Sequence, residues 1–174
     1  ANAPGADDNA TGVAFLLEAA RLLANHQTKP VMFVFFDSEE QGLWGSNYFV
    51  NQLSAAGIYP EFNFTVDMIG GFDSQPDDLT SIMEYQRNEP SSLNKASRTL
   101  GTELLSFLYV FGRLTSRRQF IPCSDFVPFM EKGIPALGLI EGHFNKNPNY
   151  HNDRDTFENM NTDYYYKVCR GALA

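Results

Sequence analysis

Positive charge is what this chain has too little of. It carries 13 Lys and Arg against 21 Asp and Glu, a formal net charge of −8. With no basic stripe to neutralise phosphates, nucleic acid is excluded as a partner. Cysteine is scarcer still. Cys123 and Cys169 are the only two, far apart and in no metal-like spacing. A cysteine-held metal is thereby set aside, while two free core thiols or one disulfide both remain open. No apolar run approaches the roughly 20 residues that span a bilayer, so this chain holds no membrane segment. A signal-peptide pattern is missing too, and the chain opens at Ala1 without a methionine, which leaves removal by processing or truncation open. Internal repeats, low-complexity tracts and linkers are also absent.

What is present suits one compact α/β domain over residues 1–174, with 43% hydrophobic and 20% charged residues. The segment around which the chain is organised is Phe33 to Ser46, FVFFDSEEQGLWGS. An apolar run, Val31 to Phe36, reads as a buried strand and stops at Asp37, Ser38, Glu39 and Glu40. A strand that ends in two carboxylates delivers them to the sheet edge where open α/β folds keep their ligand sites. Side chains alternate along extended backbone, so Glu39 and Glu40 should point in different directions. One could hold a metal while the other faces a water beside it; a solvated acidic turn is the plainer alternative.

Along the chain, Val13, Leu16, Leu17, Ala20 and Leu23 form one apolar face and predict a helix from about Thr11 to Asn25, capped by Asp8, Asn9 or Thr11. A loop at His26 to Pro30 precedes the predicted strand. Asn47 to Ala56 reads as a second helix ended by Gly57. Phe62 to Ile69 is a second β-like run with Asp67 near its end, and Thr80 to Tyr85 is a third. A break at Asn88 to Pro90 precedes a helix over Ser92 to Phe107, and Leu108 to Phe111 fits either that helix's end or a strand. Arg113 to Arg118, the only basic cluster, reads as a solvated loop. A short helix over Ser124 to Lys132 leads to the strand Ala136 to Ile140. The long polar loop Glu141 to Asp155 holds His143 and His151, and a terminal helix starts at Thr162. The sequons at Asn9 and Asn63 are chance matches, one in a site loop and one in a strand. His26 is given no role.

Four loops therefore carry the chemistry: Asp7-Asp8, Glu39-Glu40, Asp67 and His151. Crowded carboxylates repel one another unless they protonate or share a cation. Carboxylates mixed with imidazole suit zinc, with one coordination position left for water. A zinc ion lowers the pKa of water toward neutrality, and a free carboxylate nearby can take the proton.

In order, the blocks APGADDNATG (Ala3 to Gly12), FFDSEEQGLWGS (Phe35 to Ser46), VDMIG (Val66 to Gly70), SDFVPFMEKGIPAL (Ser124 to Leu137) and NYHNDRDTFENMN (Asn149 to Asn161) resemble the M28 zinc aminopeptidases over nearly the whole chain. The resemblance implies a three-layer α/β sandwich with a mostly parallel mixed sheet flanked by helices. Asp8 would bridge two zinc ions, Glu40 and His151 would complete one shell, and Asp67 would bind the second ion. Glu39 would be the general base. Tyr150 would donate a hydrogen bond to the developing oxyanion, or else serve as a wall aromatic. Asp7 is placed beside the ligands or as a cap, Asp125 and Asp155 as orienting or capping acids, and His143 in the loop or the substrate cleft. The implied substrate is a peptide, and the implied location is secreted, periplasmic or lumenal.

Two departures stand out. The family's remaining ligand lies in a His-x-Asp segment about twenty residues before its first-aspartate loop, and only Ala1 to Asp7 precede Asp8 here. The expectation is a domain lacking its N-terminal strands, with two zinc ions in the full-length parent and one or none in this chain. An exposed sheet edge would then be open to association. Phe126 also stands where the family often has histidine, which removes a hydrogen-bonding group there and could reshape the pocket. Besides a peptidase, the residues fit a glutaminyl-cyclase-like single-zinc enzyme using Asp8, Glu40 and His151, or a peptidase-like binding module without catalysis.

Overall fold

The computed structural model describes residues 3–26, 29–85 and 91–174. Four strands make its sheet: β1 (Asn63–Val66), β2 (Leu79–Glu84), β3 (Thr115–Phe120) and β4 (Ala136–Glu141). Their order is β1-β4-β2-β3. The β1–β4 and β2–β3 pairs are parallel and the central β2–β4 pair is antiparallel. Every residue of β4 is buried, as a central strand covered on both faces requires. Val66 pairs with Leu139 and Thr80 with Glu141. The C-terminal ends of β1 and β4 thus meet the start of β2 on one edge of the sheet, and the polar loops gather there.

Five helices surround the sheet: α1 (Ala10–Leu23), α2 (Trp44–Ala55), α3 (Ser91–Phe107), α4 (Val127–Glu131) and α5 (Thr162–Ala172). Period-two alternation divides the core. Ala136 and Ile140 of β4 pack with Met83 against Val50 and Leu53 of α2 and Phe129 and Met130 of α4. Leu137 and Leu139 face the other way, toward Phe15 of α1 and Tyr164 and Val168 of α5. The result is a mixed α/β fold of helix, sheet and helix layers. Asn9 caps α1 by accepting the Gly12 N–H at 3.1 Å, and Asn161 caps α5 by accepting the Tyr164 N–H at 3.0 Å.

Two segments differ from the sequence expectation, and a third that it left open is settled. Val31 to Phe36 runs without secondary structure, and no ladder among the described residues includes it. An apolar run favours extended backbone, but a strand exists only where a partner takes its N–H and C=O groups. Val31, Met32 and Phe35 stand exposed, whereas Phe36 packs on Phe49 and Phe129 at 5.6 and 6.2 Å between ring centroids. The basic cluster is not a solvated loop: Thr115 to Arg118 belong to β3, which pairs along β2 from Leu79↔Thr115 to Glu84↔Phe120. As an edge strand, β3 keeps one side toward solvent and so accommodates charge. Leu108–Gly112 forms a π-helical turn continuing α3. Both cysteines are free. The break expected at Asn88 to Pro90 lies outside the described residues, and the loop at His26 to Pro30 lies partly outside them. No helix among the described residues is long and apolar enough to cross a membrane.

Tyr164 fastens α5 to the sheet. Its side chain is fully buried, and its hydroxyl lies 3.0 Å from the Thr80 hydroxyl and donates to the Leu79 carbonyl at 3.0 Å. Tyr164→Phe is expected to lower the unfolding free energy by about 1–2 kcal/mol. Urea titration reads this as a lower midpoint at unchanged slope, and an unmoved midpoint would show that the hydroxyl contributes nothing.

Candidate functional site

The site begins with the turn before α1, which is stitched to its neighbours by side chains. Asn9 donates from Nδ2 to the Val66 carbonyl at 2.9 Å, and its Oδ1 accepts the Met68 N–H at 3.2 Å. It therefore grips the backbone on both sides of Asp67. Gly12 makes room for this grip, because a Cβ there would lie 2.5 Å from Asn9 Oδ1 and 2.7 Å from the Val66 oxygen. Thr11 accepts the Ile69 N–H, and Asp7 Oδ1 accepts the Gly70 N–H at 2.7 Å. From the opposite side, Asp155 accepts the Asp7 N–H on one carboxylate oxygen (2.8 Å) and the Asp8 N–H on the other (3.1 Å). Asp155 follows His151 by four residues, so one buried carboxylate ties the Asp8 turn to the histidine loop.

The paired glutamates sit on a turn folded against α2. The Asp37 carbonyl accepts the Gly45 N–H at 3.1 Å. A Cβ on Gly45 would come within 2.3 Å of that oxygen, so the close approach requires glycine. Glu40 extends toward solvent and meets His151, whose Nε2 lies 3.0 Å from Glu40 Oε1 and 3.2 Å from Asp8 Oδ2. One ligand atom from each of these three residues lies within 4.8 Å of the other two. Asp67 follows β1 directly and accepts the Ser124 hydroxyl at 2.8 Å. It lies outside that three-residue group, although its charge is felt by Asp8 and Glu39. Tyr150 is 38% exposed and sits between Phe144 and the His151 ring, with centroids at 6.4 and 3.7 Å.

Charge crowding dominates the electrostatics. Burial, reinforced by the Asp67 and Glu40 carboxylates, raises Asp8 to about 7. Burial and the same two neighbours raise Glu39 to about 8. Asp67 rises to about 6, chiefly by burial and despite the Ser124 hydrogen bond. Burial and the surrounding acids push Tyr150 up to about 12. Groups with such pKa values take up protons unless a cation replaces them. Two carboxylates and one imidazole together form an oxygen and nitrogen donor set suited to a zinc-type divalent cation.

The comparisons with known proteins identify the family. The model of peptidase family M28 matches residues 1–174. The chain belongs to peptidase family M28. Aminopeptidase YwaD of Bacillus subtilis is 32% identical over 167 residues, covering 92% of this chain and 34% of YwaD. Among solved structures, Legionella LapA superposes with a TM-score of 0.81 at 24% identity, over 98% of this chain and 47% of LapA. The zinc aminopeptidase BSAP from Bacillus subtilis gives 0.75 at 26% identity, over 98% and 42%. The glutaminyl cyclase of Porphyromonas gingivalis gives 0.69 at 20% identity, over 99% and 62%, a likeness of fold. The chain spans about a third to six tenths of the length of the curated relatives it matches.

The remaining M28 motif residues occupy definite places. Asp7 is buried, bonded to Gly70 and Thr11, and directed away from the three-residue group. Asp125 adds its charge to Glu39 and Asp67, and its buried Oδ1 has no hydrogen-bond partner. His143 lies outside the group, with Nε2 2.9 Å from Asp77. Phe126 is fully buried in the core against α2 and α4, so it fills packing space and not the site. Sequence reasoning missed the structural work of Asn9, Ser124, Asn147 and Glu141. A capping pattern flagged Asn9, but its second grip spans 57 residues and leaves no local trace.

Glu141, at the end of β4, is 1% exposed and accepts a hydrogen bond from Asn147 at 3.0 Å. Burial and the Asp7 charge raise its pKa from 4.5 to about 8. The folded protein thus keeps a proton that the unfolded chain releases above pH 4.5. That contribution is complete at low pH and is lost as pH rises toward 8. In chelator, Glu141→Gln should flatten the fall of stability across this window by up to one proton, about 1.4 kcal/mol per pH unit. Denaturant titrations at several pH values check this, and equal slopes in both proteins would contradict a protonated Glu141.

Proposed function

We propose that this protein is a zinc-dependent aminopeptidase-type hydrolase that removes N-terminal residues from peptides. The observation carrying the reading is the convergence of Asp8, Glu40 and His151 from three distant stretches, with Glu39 beside them. Asp8, Glu40 and His151 would hold one zinc ion. Asp8 and Asp67 form only a two-residue set, short of the three protein ligands a catalytic zinc takes, so one ion is assigned to these residues and a second would need further donors.

Bound there, zinc lowers the pKa of water toward neutrality and polarises a carbonyl. Glu39 is the general base: its carboxylate stands beside Asp8 and Glu40 without belonging to the three-residue group, so it is left to accept a proton. Having taken the water's proton, it delivers that proton to the departing amine. Tyr150, exposed next to His151, donates its phenolic proton in a hydrogen bond to the developing oxyanion and stays protonated at neutral pH. Asp155 and Asn9 tie the Asp8 turn to the histidine loop and to the end of β1. Free site carboxylates attract the positively charged amino terminus of a peptide.

The three-residue donor set also suits a single-zinc cyclase, in which Glu39 would move a proton during ring closure of an N-terminal glutamine. The products separate the two readings: a released amino acid for the peptidase, ammonia at unchanged chain length for the cyclase. Glu39→Gln should lower hydrolysis of an aminoacyl chromogenic amide by about 100-fold or more while zinc content by mass spectrometry stays unchanged. Equal activity in the variant would remove Glu39 as the base, and loss of zinc would recast it as a ligand.

A further inference from the structure

Two arginines and a lysine come together in one cavity apart from the Asp8, Glu40 and His151 group. A cavity of about 400 Å³ is lined by Arg117, Arg118, Gln119, His143, Asn145 and Lys146. It lies between the edge strand β3 and the loop after β4. Arg118 pairs with Glu84, and His143 Nε2 lies 2.9 Å from the Asp77 carboxylate. Arg117 and Lys146 are not paired in this way. Arg117 donates only to neutral acceptors: Ser81 Oγ at 3.2 Å, Gln119 Oε1 at 3.0 Å and the Gly142 carbonyl at 2.6 Å. The Lys146 ammonium has no ion pair among the described residues.

These bonds fix the guanidinium in place before any ligand arrives, which reduces the ordering cost of binding. Remote acids are screened within about 8 Å at physiological ionic strength, so the overall charge of −8 does not cancel the local field. A fixed guanidinium and a mobile ammonium approach a ligand from two directions. That arrangement suits a doubly charged tetrahedral anion better than a single carboxylate. The volume exceeds that of inorganic phosphate and leaves room for a small organic group.

We propose that this cavity binds the phosphate group of a small soluble phosphate monoester, at a site separate from Asp8, Glu40 and His151. The test is calorimetric titration of metal-free protein with inorganic phosphate and with glycerol 3-phosphate, chelator having removed any cation that could bind phosphate. Both should bind saturably, and acetate should bind more weakly. Arg117→Gln removes a charge-assisted bond and should weaken phosphate by about tenfold or more. Lys146→Gln, at an exposed position that does not support the fold, should weaken it by about threefold or more. Arg170→Gln removes the same charge from α5 and should leave binding unchanged. Absence of saturation, equal affinity for acetate, or equal losses in Lys146→Gln and Arg170→Gln would overturn the proposal.

Discussion

The turn from Asp7 to Asn9 is the fixed point from which the rest of the site is measured. Its backbone is held by the Asp155 carboxylate on one side, and its side chains hold the end of β1 on the other. These bonds connect residues 57 to 148 positions apart. Three loops with little regular structure thereby acquire the rigidity of the sheet edge beneath them. Buried hydrogen bonds to a charged acceptor are among the stronger ones available, and without them Asp8 and His151 would have no common frame.

That rigidity has an electrostatic consequence. Holding Asp8, Glu39, Glu40 and Asp67 near one another raises the pKa of several of them by burial and repulsion. A second buried layer, Asp7 and Glu141 joined through Asn147, lies behind the first. In such a place the protein must hold protons or a cation. His151 brings an imidazole to the outer layer, within reach of Asp8 and Glu40.

Much of this was legible in the sequence, and the reasons are local. The α1 span, β4, the helix from Thr162 and the alternation of strands with helices follow from period and capping, which need only neighbouring residues. The buried face of α1 was misread: Phe15 and Ala19 pack inward while Val13, Leu17 and Leu23 stand exposed. Three of the four polar loops were legible because they follow or flank an apolar run. Val31 to Phe36 was misread because a strand depends on a partner that periodicity does not reveal. Thr115 to Arg118 was misread because charge on an edge strand looks like charge on a loop. Asn9, Ser124 and Glu141 work through contacts that exist only after the chain is folded. Phe126 looked like a change in the pocket and is instead part of the core.

The central claim, one divalent ion shared by Asp8, Glu40 and His151, is tested most directly by crystals grown with zinc and measured on both sides of the zinc absorption edge. The account predicts an anomalous peak within bonding distance of Asp8 Oδ2, Glu40 Oε1 and His151 Nε2. A zinc-saturated crystal with no peak there, or with its peak among other side chains, would contradict it.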